Sequence, residues 1–406
     1  MSFSASNVSC TVCNNNTLKT IIDFGQQPPS NRFVAEANLH SSQEMHQLAL
    51  GYCLQCGTIQ LTQRMPIDSV RPHFNWLVYN EPEGHLDGVA EELIRLPGIN
   101  KESRILGITY KDQSTIDRLA KLGLPIGVCM HENDFGFHSK LFGLETVQQL
   151  LTQHDTINHL KTKFGTANIL LMRHIIEHAS DPAKLIRSLR SLVAENGYLV
   201  MELPDSEKIF RADNHAFIWE EHISYFTEET LQKLARSVGA KLAWFKRCSY
   251  AYEDSLLAAF QFHHNDNSFA TDDGFINDVD SQLKKFSEKL EAARLQWKQV
   301  LLSYREKGEM VAVFGAGHLA AKFINFLQLK DLIDCVIDDN PNKKGMRMPG
   351  SLLPIVPSKE LAARNIRVCI STLSPESELK VRQKLTEYFD NGGVLIPAFT
   401  VVRDMS

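Results

Sequence analysis

The stretch SRILGITYKDQSTIDRLAKLG, residues 103–123, has the pattern of a strand, a tight turn and a helix. The apolar run at residues 104–108 predicts the strand, and the spaced apolar residues at 115–122 predict the helix. Nucleotide-type cofactors commonly bind at such a turn in α/β proteins. The turn at residues 109–113 nevertheless contains no glycine. Whether the loop holds a cofactor is therefore the first question that the sequence raises.

Outward from this stretch, predicted strands and helices continue to alternate. Before the polar segment at 263–277 we predict strands at 125–130, 167–172 and 197–203 and a helix at 182–193. After it we predict a long amphipathic helix at about 278–306 and strands at 310–314, 334–338, 367–371 and 394–396. Alternation of this kind favours parallel sheets covered by helices. The sequence thus predicts an α/β protein with two such sheets.

The composition is that of a globular protein. The chain has 406 residues, of which 43% are hydrophobic and 22% charged, and its net charge is -5. This length predicts two or three domains. The charge gives no general attraction to nucleic acid or anionic membranes, and no apolar run reaches the length of a membrane span. We expect a cytoplasmic protein with neither kind of partner; the sequence does not set its oligomeric state.

Four of the eight cysteines form two CxxC pairs, Cys10 with Cys13 and Cys53 with Cys56. A CxxC turn places two thiolates on one side of a loop, and two such turns supply a tetrahedral zinc site. A redox CxxC is the alternative, but it needs one pair at a helix start rather than two pairs in turns. With all four metal positions filled by protein, the predicted zinc is structural.

Histidines and carboxylates cluster after two predicted strands. The members are His174, Glu177 and His178 in the first loop and Glu220, Glu221 and His222 in the second. Ligands of open parallel sheets bind at the carboxyl ends of the strands. A histidine among carboxylates and aromatic rings can act as a general base near neutral pH. The alternative is that these histidines are only hydrogen-bonded loop residues.

Over nearly its whole length the chain resembles the zinc-containing sugar C-methyltransferases, which attach a branching methyl group to nucleotide-linked keto-deoxysugars. The motifs that carry the resemblance are the two CxxC pairs, PPSNRF at 28–33, HxxDP at 178–182, GYLVMELPD at 197–205, WEEHxSYF at 219–226 and FGAG at 314–317. The resemblance implies a small four-Cys zinc head, a class I methyltransferase-like Rossmann domain and a second, C-terminal Rossmann-like α/β domain. We expect these at residues 1–70, 71–262 and 307–406, with a linker and long helix at 263–306.

The resemblance also implies catalytic roles. It places the base that removes the proton beside the substrate ketone on His222, a neighbouring acid on Glu221 and a second active-site histidine on His178. One family tyrosine falls on Tyr79 or on Phe74. Another falls on residue 219, where this chain has a tryptophan, and an indole can only donate a hydrogen bond. The catalytic role of that family tyrosine therefore does not carry over to Trp219.

The cofactor loop departs from the family pattern. Thr109 and Gln113 stand where glycines are expected, and Cys129 stands where an acid would bind the ribose hydroxyls. Asp112 matches an acid of the family loop, whereas Gly107 replaces another. Glycines let the backbone approach the ligand, so side chains at these positions occupy ligand space. The resemblance implies S-adenosylmethionine as cofactor, and these departures leave its binding open.

The C-terminal part contains a second nucleotide-binding pattern. A predicted strand runs into Gly315-Ala-Gly317 and a helix, and acids end the next strand. Without the resemblance this is an NAD-type fingerprint. The resemblance implies instead that the loop faces the diphosphate of the sugar nucleotide, with Lys322 adding charge and Asn31 and Arg32 joining the substrate site. NAD is then not needed, and a packing role for the glycines is a third possibility.

Three functions remain open at this point. The first is C-methylation next to the ketone of a nucleotide-linked 4-keto-deoxysugar. The second is epimerisation or isomerisation of the same substrates, because an enolate that meets no methyl donor can only regain a proton. The third is a non-catalytic subunit that binds sugar nucleotides.

Overall fold

The computed structural model describes residues 8–74, 76–77, 81–136, 143–263 and 273–401. Tyr79, for which a catalytic role is predicted, lies outside the described residues, as do residues 264–272 of the predicted linker. Within the described ranges, no helix is long and apolar enough to cross a membrane.

The predicted alternation of strands and helices is confirmed, with small differences at the ends of elements. In chain order the strands are β1 (Leu18–Gln27), β2 (Val34–Ala35), β3 (His46–Cys53), β4 (Ile59–Gln63), β5 (Ile105–Gly107), β6 (Val128–Cys129), β7 (Ala167–Arg173), β8 (Val193–Asp205), β9 (Ser224–Tyr225), β10 (Ala240–Cys248), β11 (Asp254–Phe262), β12 (Val311–Phe314), β13 (Cys335–Ile337), β14 (Met346–Arg347), β15 (Ile355–Val356), β16 (Val368–Ser371) and β17 (Val394–Pro397). The α-helices are α1 (Ile67–Val70), α2 (Leu86–Leu93), α3 (Gln113–Lys121), α4 (Leu144–Leu150), α5 (His154–Phe164), α6 (Pro182–Leu189), α7 (Glu207–Arg211), α8 (Glu228–Ser237), α9 (Asp273–Arg305), α10 (His318–Phe326), α11 (Glu360–Ala363), α12 (Pro375–Lys384) and α13 (Thr386–Asp390).

A six-stranded sheet forms the middle of the chain, in the order β10-β11-β8-β7-β5-β6. Strands β6, β5, β7 and β8 run parallel to one another. At the other edge of the sheet, β10 and β11 form an antiparallel pair, and β11 is also antiparallel to β8. The central parallel strands β5 and β7 are almost fully buried, as expected for strands covered on both faces. Their carboxyl ends meet at one edge of the sheet, where ligands of such sheets bind.

Local sequence explains where two helices near this edge begin. The Asp181 side chain accepts a hydrogen bond from the Lys184 backbone N–H at 2.8 Å, and Pro182 occupies the first turn of α6. The Thr227 side chain caps α8 in the same way, by accepting from the Thr230 N–H. Both side chains satisfy backbone donors that a helix start leaves without partners. The preceding loops are thereby fixed against the sheet.

The N-terminal head is a four-stranded antiparallel sheet, in the order β1-β3-β4-β9. Its last strand comes from the middle of the chain, directly after His222. The apolar face of the head, including Phe24 and Leu50, packs into a core shared with α9 and the C-terminal sheet. The head therefore depends on the rest of the chain as well as on its cysteines.

The C-terminal part is a parallel sheet of five strands, in the order β15-β13-β12-β16-β17. A short antiparallel pairing of β14 with β2 connects it to the segment that follows β1. One apolar cluster extends from Ile22 of the head through Phe286 of α9 to Val313 of β12. This shared core places the start of α10 beside the loop that contains His222.

Candidate active site and metal centre

The four CxxC cysteines converge as predicted. The sulfur atoms of Cys10 and Cys56 lie 3.5 Å apart, as do those of Cys13 and Cys53, and all four lie within 4.8 Å of one another. The N–H of Val12 donates to the Cys10 sulfur at 3.4 Å. Four converging thiols, supported by backbone N–H donors, form the donor set of a structural tetrahedral zinc site. The residues present therefore fit zinc.

A cavity of about 550 Å³ lies at the carboxyl edge of the central sheet. This volume is in the range of small-molecule and cofactor sites. It extends from the loop after β5 to the histidine cluster, so the two predicted half-sites share one space. The predicted site residues that line it are Asn31, Thr109, His178, Glu221 and His222.

Aromatic rings pack around His222. The ring of His178 lies edge-on to that of His222, with centroids 4.8 Å apart. The Trp219 indole lies 4.9 Å from His222 on one side and stacks on His318 at 4.2 Å on the other. His318 is a cavity residue that the sequence reasoning missed. It opens α10, and only the packing of the C-terminal sheet against the central one brings it here.

Backbone hydrogen bonds fix the loop that carries His222. The Ile223 N–H donates to the carbonyl of Glu177 at 2.7 Å, which joins the two histidine loops. The Tyr225 hydroxyl accepts from the Trp219 N–H at 2.8 Å and donates to the Trp219 carbonyl at 3.1 Å. The pairing of β9 with β4 holds the end of the loop. The position of His222 is therefore set by the fold.

The electrostatics of the site suit proton abstraction. Burial lowers the pKa of His222 well below its usual range, and electrostatic repulsion within the cluster of nearby histidines acts in the same direction. His222 is therefore neutral near pH 7 and can accept a proton. The ligand atoms of Glu177, His178 and His222 lie within 4.8 Å of one another, which is also compatible with a metal ion. Because His174 Nδ1 lies 3.5 Å from the Glu177 carboxylate and competes for it, we assign no metal here.

The two acids before His222 have different partners. Asn31 Nδ2 donates to the Glu221 carboxylate at 3.1 Å and to the Val70 carbonyl at 2.8 Å, so Asn31 holds Glu221 in place. Glu220 forms an ion pair of 2.5 Å with Lys322, and both side chains are fully buried. The prediction that Lys322 adds charge to a diphosphate site does not match this placement, because its ammonium group compensates a buried carboxylate.

Arg32, predicted to contact substrate, also has protein partners. Its guanidinium donates to the Asn31 side chain at 2.6 Å and to the Arg71 carbonyl at 2.7 Å. It does not belong to the cavity lining. Arg32 therefore supports Asn31, and through it Glu221, from behind the cavity wall.

The glycine-free loop after β5 is closed by its own acid. The buried Asp112 carboxylate accepts hydrogen bonds from the N–H groups of Ile108, Thr109 and Arg173 at 2.8, 2.9 and 3.0 Å. Burial raises the pKa of Asp112 to about 6, although these hydrogen bonds oppose the shift. Asp112 thus shapes the loop from inside and does not reach the cavity.

The other predicted cofactor residues differ in placement. Thr109 lines the cavity, whereas Gln113 is exposed and donates to Asp117 at 2.8 Å. The Cys129 thiol points into the protein and donates to the Thr109 carbonyl at 2.7 Å. Glu132, three residues further, does line the cavity. The cofactor side therefore keeps an acid near the end of β6, at a position that the sequence comparison missed.

Gly315 of the C-terminal loop has a packing role, whereas a Cβ at Gly317 would meet no neighbouring atom within 4 Å. Gly315 has a φ of +97°, and a Cβ at this position would lie 2.7 Å from the Leu373 side chain. The acid at the end of β13, Asp338, accepts from the Ala316 N–H at 3.0 Å and from Lys343 at 2.8 Å. Because the Asp338 carboxylate already accepts these two hydrogen bonds, it is not free to bind a ribose as the acid of an NAD-type site would. The diphosphate role of Gly315 and Gly317 stays a prediction.

The fold and the cavity define a methyltransferase with a zinc-binding head. Family models match all three parts of the chain: a zinc binding domain at residues 10–70, a methyltransferase domain at 110–243 and a C-methyltransferase C-terminal domain at 271–399. The chain is an enzyme of this C-methyltransferase family. The C-methyltransferase NovU of Streptomyces niveus is 19% identical to it over 402 residues, which are 95% of this chain and 94% of that protein.

Solved methyltransferases are more distant. The 1,6-didemethyltoxoflavin-N1-methyltransferase of Burkholderia thailandensis is 10% identical and covers 45% of this chain and 80% of its own, with a TM-score of 0.30. The mitomycin 7-O-methyltransferase MmcR is 12% identical and covers 44% of this chain and 54% of its own, with a TM-score of 0.29. Both likenesses are confined to less than half of this chain.

Proposed function

We propose that this enzyme methylates the carbon next to the ketone of a nucleotide-linked 4-keto-deoxysugar, with S-adenosylmethionine as the methyl donor. The observation that supports this most is that a neutral, half-buried histidine shares one cavity with the cofactor loop of a methyltransferase-type sheet. Proton removal and methyl transfer need to occur within one such enclosed space, because a free enolate in water is quickly reprotonated.

In this proposal His222 is the base. The C–H bond next to the ketone breaks, the proton moves to a ring nitrogen of His222, and the electron pair forms an enolate. His178 lies edge-on to His222 and helps to fix its ring, and Glu221 is held by Asn31 for a similar positioning role. The indole of Trp219 contributes a flat wall between His222 and His318.

Three cavity residues at the carboxyl edge would hold the methyl donor: Thr109, Lys111 and Glu132. When bound, the donor supplies an electrophilic methyl carbon to the substrate. A carboxylate near the end of β6 suits ribose hydroxyls, as in other dinucleotide and nucleoside sites. The fit is partial, since the residue at the usual acid position is Cys129. Calorimetric titration with S-adenosylmethionine tests it, and a Glu132→Gln variant should bind more weakly if the fit is right.

The second candidate is epimerisation or isomerisation without a methyl donor. The observation that favours it is the placement of Asp112 and Cys129, which face away from the cavity and leave the usual ribose position without an acid. The two functions separate in deuterium oxide. Solvent deuterium entering the carbon next to the ketone, without methyl donor and with a changed stereocentre, supports the second; methylated product supports the first.

The substrate itself is tested by turnover on a panel of nucleotide-linked 4-keto-deoxysugars, with products read by mass spectrometry. An increase of one methyl group in the sugar is the expected result. If no member of the panel gains a methyl group or deuterium, both enzyme functions on this substrate class are wrong.

A further inference from the structure

His174 has an unusual backbone at the carboxyl end of β7. Its φ is +54°, which places a non-glycine residue in the left-handed region, and the residue is only 7% exposed. Such conformations are uncommon and persist where the surroundings impose them, often at functional sites. The Glu202 carbonyl accepts from the His174 N–H at 2.8 Å and fixes this turn. The turn places the His174 side chain in the cavity wall.

Carboxylates surround the His174 ring. Its Nδ1 lies 3.5 Å from Glu177 Oε1, and its Nε2 lies 3.6 Å from Glu202 Oε1. Among the described residues, His174 Nε2 and both Glu177 oxygens have no hydrogen-bond partner. Burial alone would lower the pKa of His174, but Glu177, Glu202 and Glu81 outweigh it and raise the pKa to about 10. The ring is therefore a cation at neutral pH with donor capacity left for a ligand.

The neighbouring carboxylates differ in charge. Burial opposes ionisation of Glu202, but His174, His85 and Arg173 hold its pKa well below its usual range. Burial, with Glu81 and Glu177 nearby, raises the pKa of Glu253 well above its usual range. The titratable groups that interact electrostatically with His174 are Glu81, Glu177, Glu202, His222 and Glu253, and Lys111 pairs with Glu81 at 3.5 Å. Glu177 and Glu202 thus both face the His174 ring and raise its pKa.

We propose that His174 is a further catalytic residue, the cation that stabilises the substrate oxygen as the enolate forms. This inference rests on the proposed function. As His222 takes the proton from carbon, the ketone oxygen gains negative charge, and a His174 N–H donates to it without giving up its proton. When carbon gains a methyl group or a proton, the charge leaves the oxygen. A fixed charged donor in an enclosed cavity stabilises such a transition state far better than water does.

The test compares His174→Asn with the natural chain. Asparagine tolerates a positive φ and removes the charge, so the backbone change is small. The measurement is deuterium uptake next to the ketone, in deuterium oxide, across a panel of nucleotide-linked 4-keto-deoxysugars. We expect kcat for uptake to fall by about 10²–10³-fold with little change in KM. Gln328→Asn, at an exposed position with a φ of +56°, is the matched control and should keep the natural rate.

A second measurement covers the case in which His174→Asn does not fold. Nitrogen NMR of labelled histidines in the natural chain should show the His174 ring protonated at pH 8, and a neutral ring there would overturn the inference. If the natural chain takes up deuterium and folded His174→Asn does so equally fast, His174 is not catalytic, whereas the proposed function stands. If the natural chain shows neither uptake nor methylation, the proposed function fails and the inference falls with it.

Discussion

Asp112 fills the space that a side chain at Gly107 would need, since a Cβ added to Gly107 would lie 2.7 Å from the Asp112 Cβ. The family pattern has an acid at the position of Gly107, and in this chain that volume is filled from the other end of the loop. The departure at Gly107 and the placement of Asp112 are therefore coupled. The Asp112 carboxylate lies inside the loop, and its hydrogen bonds hold the loop in place without glycines.

This coupling predicts the effect of Asp112→Ala on stability. Three buried backbone N–H groups lose their acceptor, and each unsatisfied donor of this kind costs about 1–3 kcal/mol. We expect the free energy of unfolding to fall by at least that of one such donor, as measured by urea denaturation. Asp117→Ala, on the exposed face of α3, is the control and should change it by less than about 0.5 kcal/mol. Equal stability of the two variants would contradict the structural role of Asp112.

Zinc should be bound once per chain and should stabilise the fold. Removal by a chelator is expected to lower the melting temperature, because four buried or half-buried thiols lose the ion that holds them together. Cys53→Ser should lower the zinc content measured by atomic emission. Cys248→Ser, which changes a cysteine outside the cluster, should leave the zinc content unchanged. A Cys53→Ser variant with full zinc content would show that the metal binds elsewhere.

Replacing the proposed base should stop proton removal. His222→Gln is expected to lower the rate of deuterium uptake into substrate by about 10²–10⁴-fold, the usual contribution of a general base. The exposed residue His154 provides the control, since His154→Gln should keep the natural rate. Unchanged uptake in His222→Gln would contradict both enzyme functions.

The pH dependence follows from the pKa directions of two histidines. The neutral form of His222 is the base and its pKa is lowered, so activity should persist as pH falls below about 6.5 and decline only further down. The cationic form of His174 has a pKa raised to about 10, so activity should decline as pH rises through that value. The raised pKa of His174 also adds to the free energy of unfolding. This contribution is full below about pH 6.5 and is lost as pH rises through about 10. Denaturation curves between these limits, with His174→Asn as comparison, measure it.

The sequence predicts local features of this fold well. The strand β7 and the cap at Thr227 follow from an apolar run and from a short capping pattern, both of which act within a few residues. The type and spacing of the four cysteines are enough to indicate a zinc site. The left-handed turn at His174 has no such signal, because non-glycine residues are uncommon in this region and only the surrounding contacts impose it. The interior placement of Cys129 likewise depends on how the loop after β5 closes.

Long-range contacts explain most of what the sequence did not predict. His318 lines the cavity, and Lys322 lies outside the predicted diphosphate site, for the same reason: α10 packs against the loop of residues 219–222. That contact joins positions about a hundred residues apart, and no local pattern encodes it. The glycine pattern before α10 is real, but the core behind Gly315 and the pairing of Asp338 decide what it does.

The buried ion pair of Lys322 with Glu220 gives the sharpest test of this domain contact. Lys322→Met should leave the Glu220 carboxylate buried without its cation, and breaking one side of such a pair destabilises proteins by about 3–5 kcal/mol. The double variant Lys322→Met with Glu220→Gln should recover much of this loss, because no unpaired charge remains. A double-mutant cycle by urea denaturation measures the coupling. If the single and double variants are equally stable, the pair does not hold the C-terminal sheet against the histidine loop. Deuterium uptake by the stable double variant then shows whether that contact also positions His222. If it does, the rate of uptake falls, although both changed residues lie behind the cavity wall.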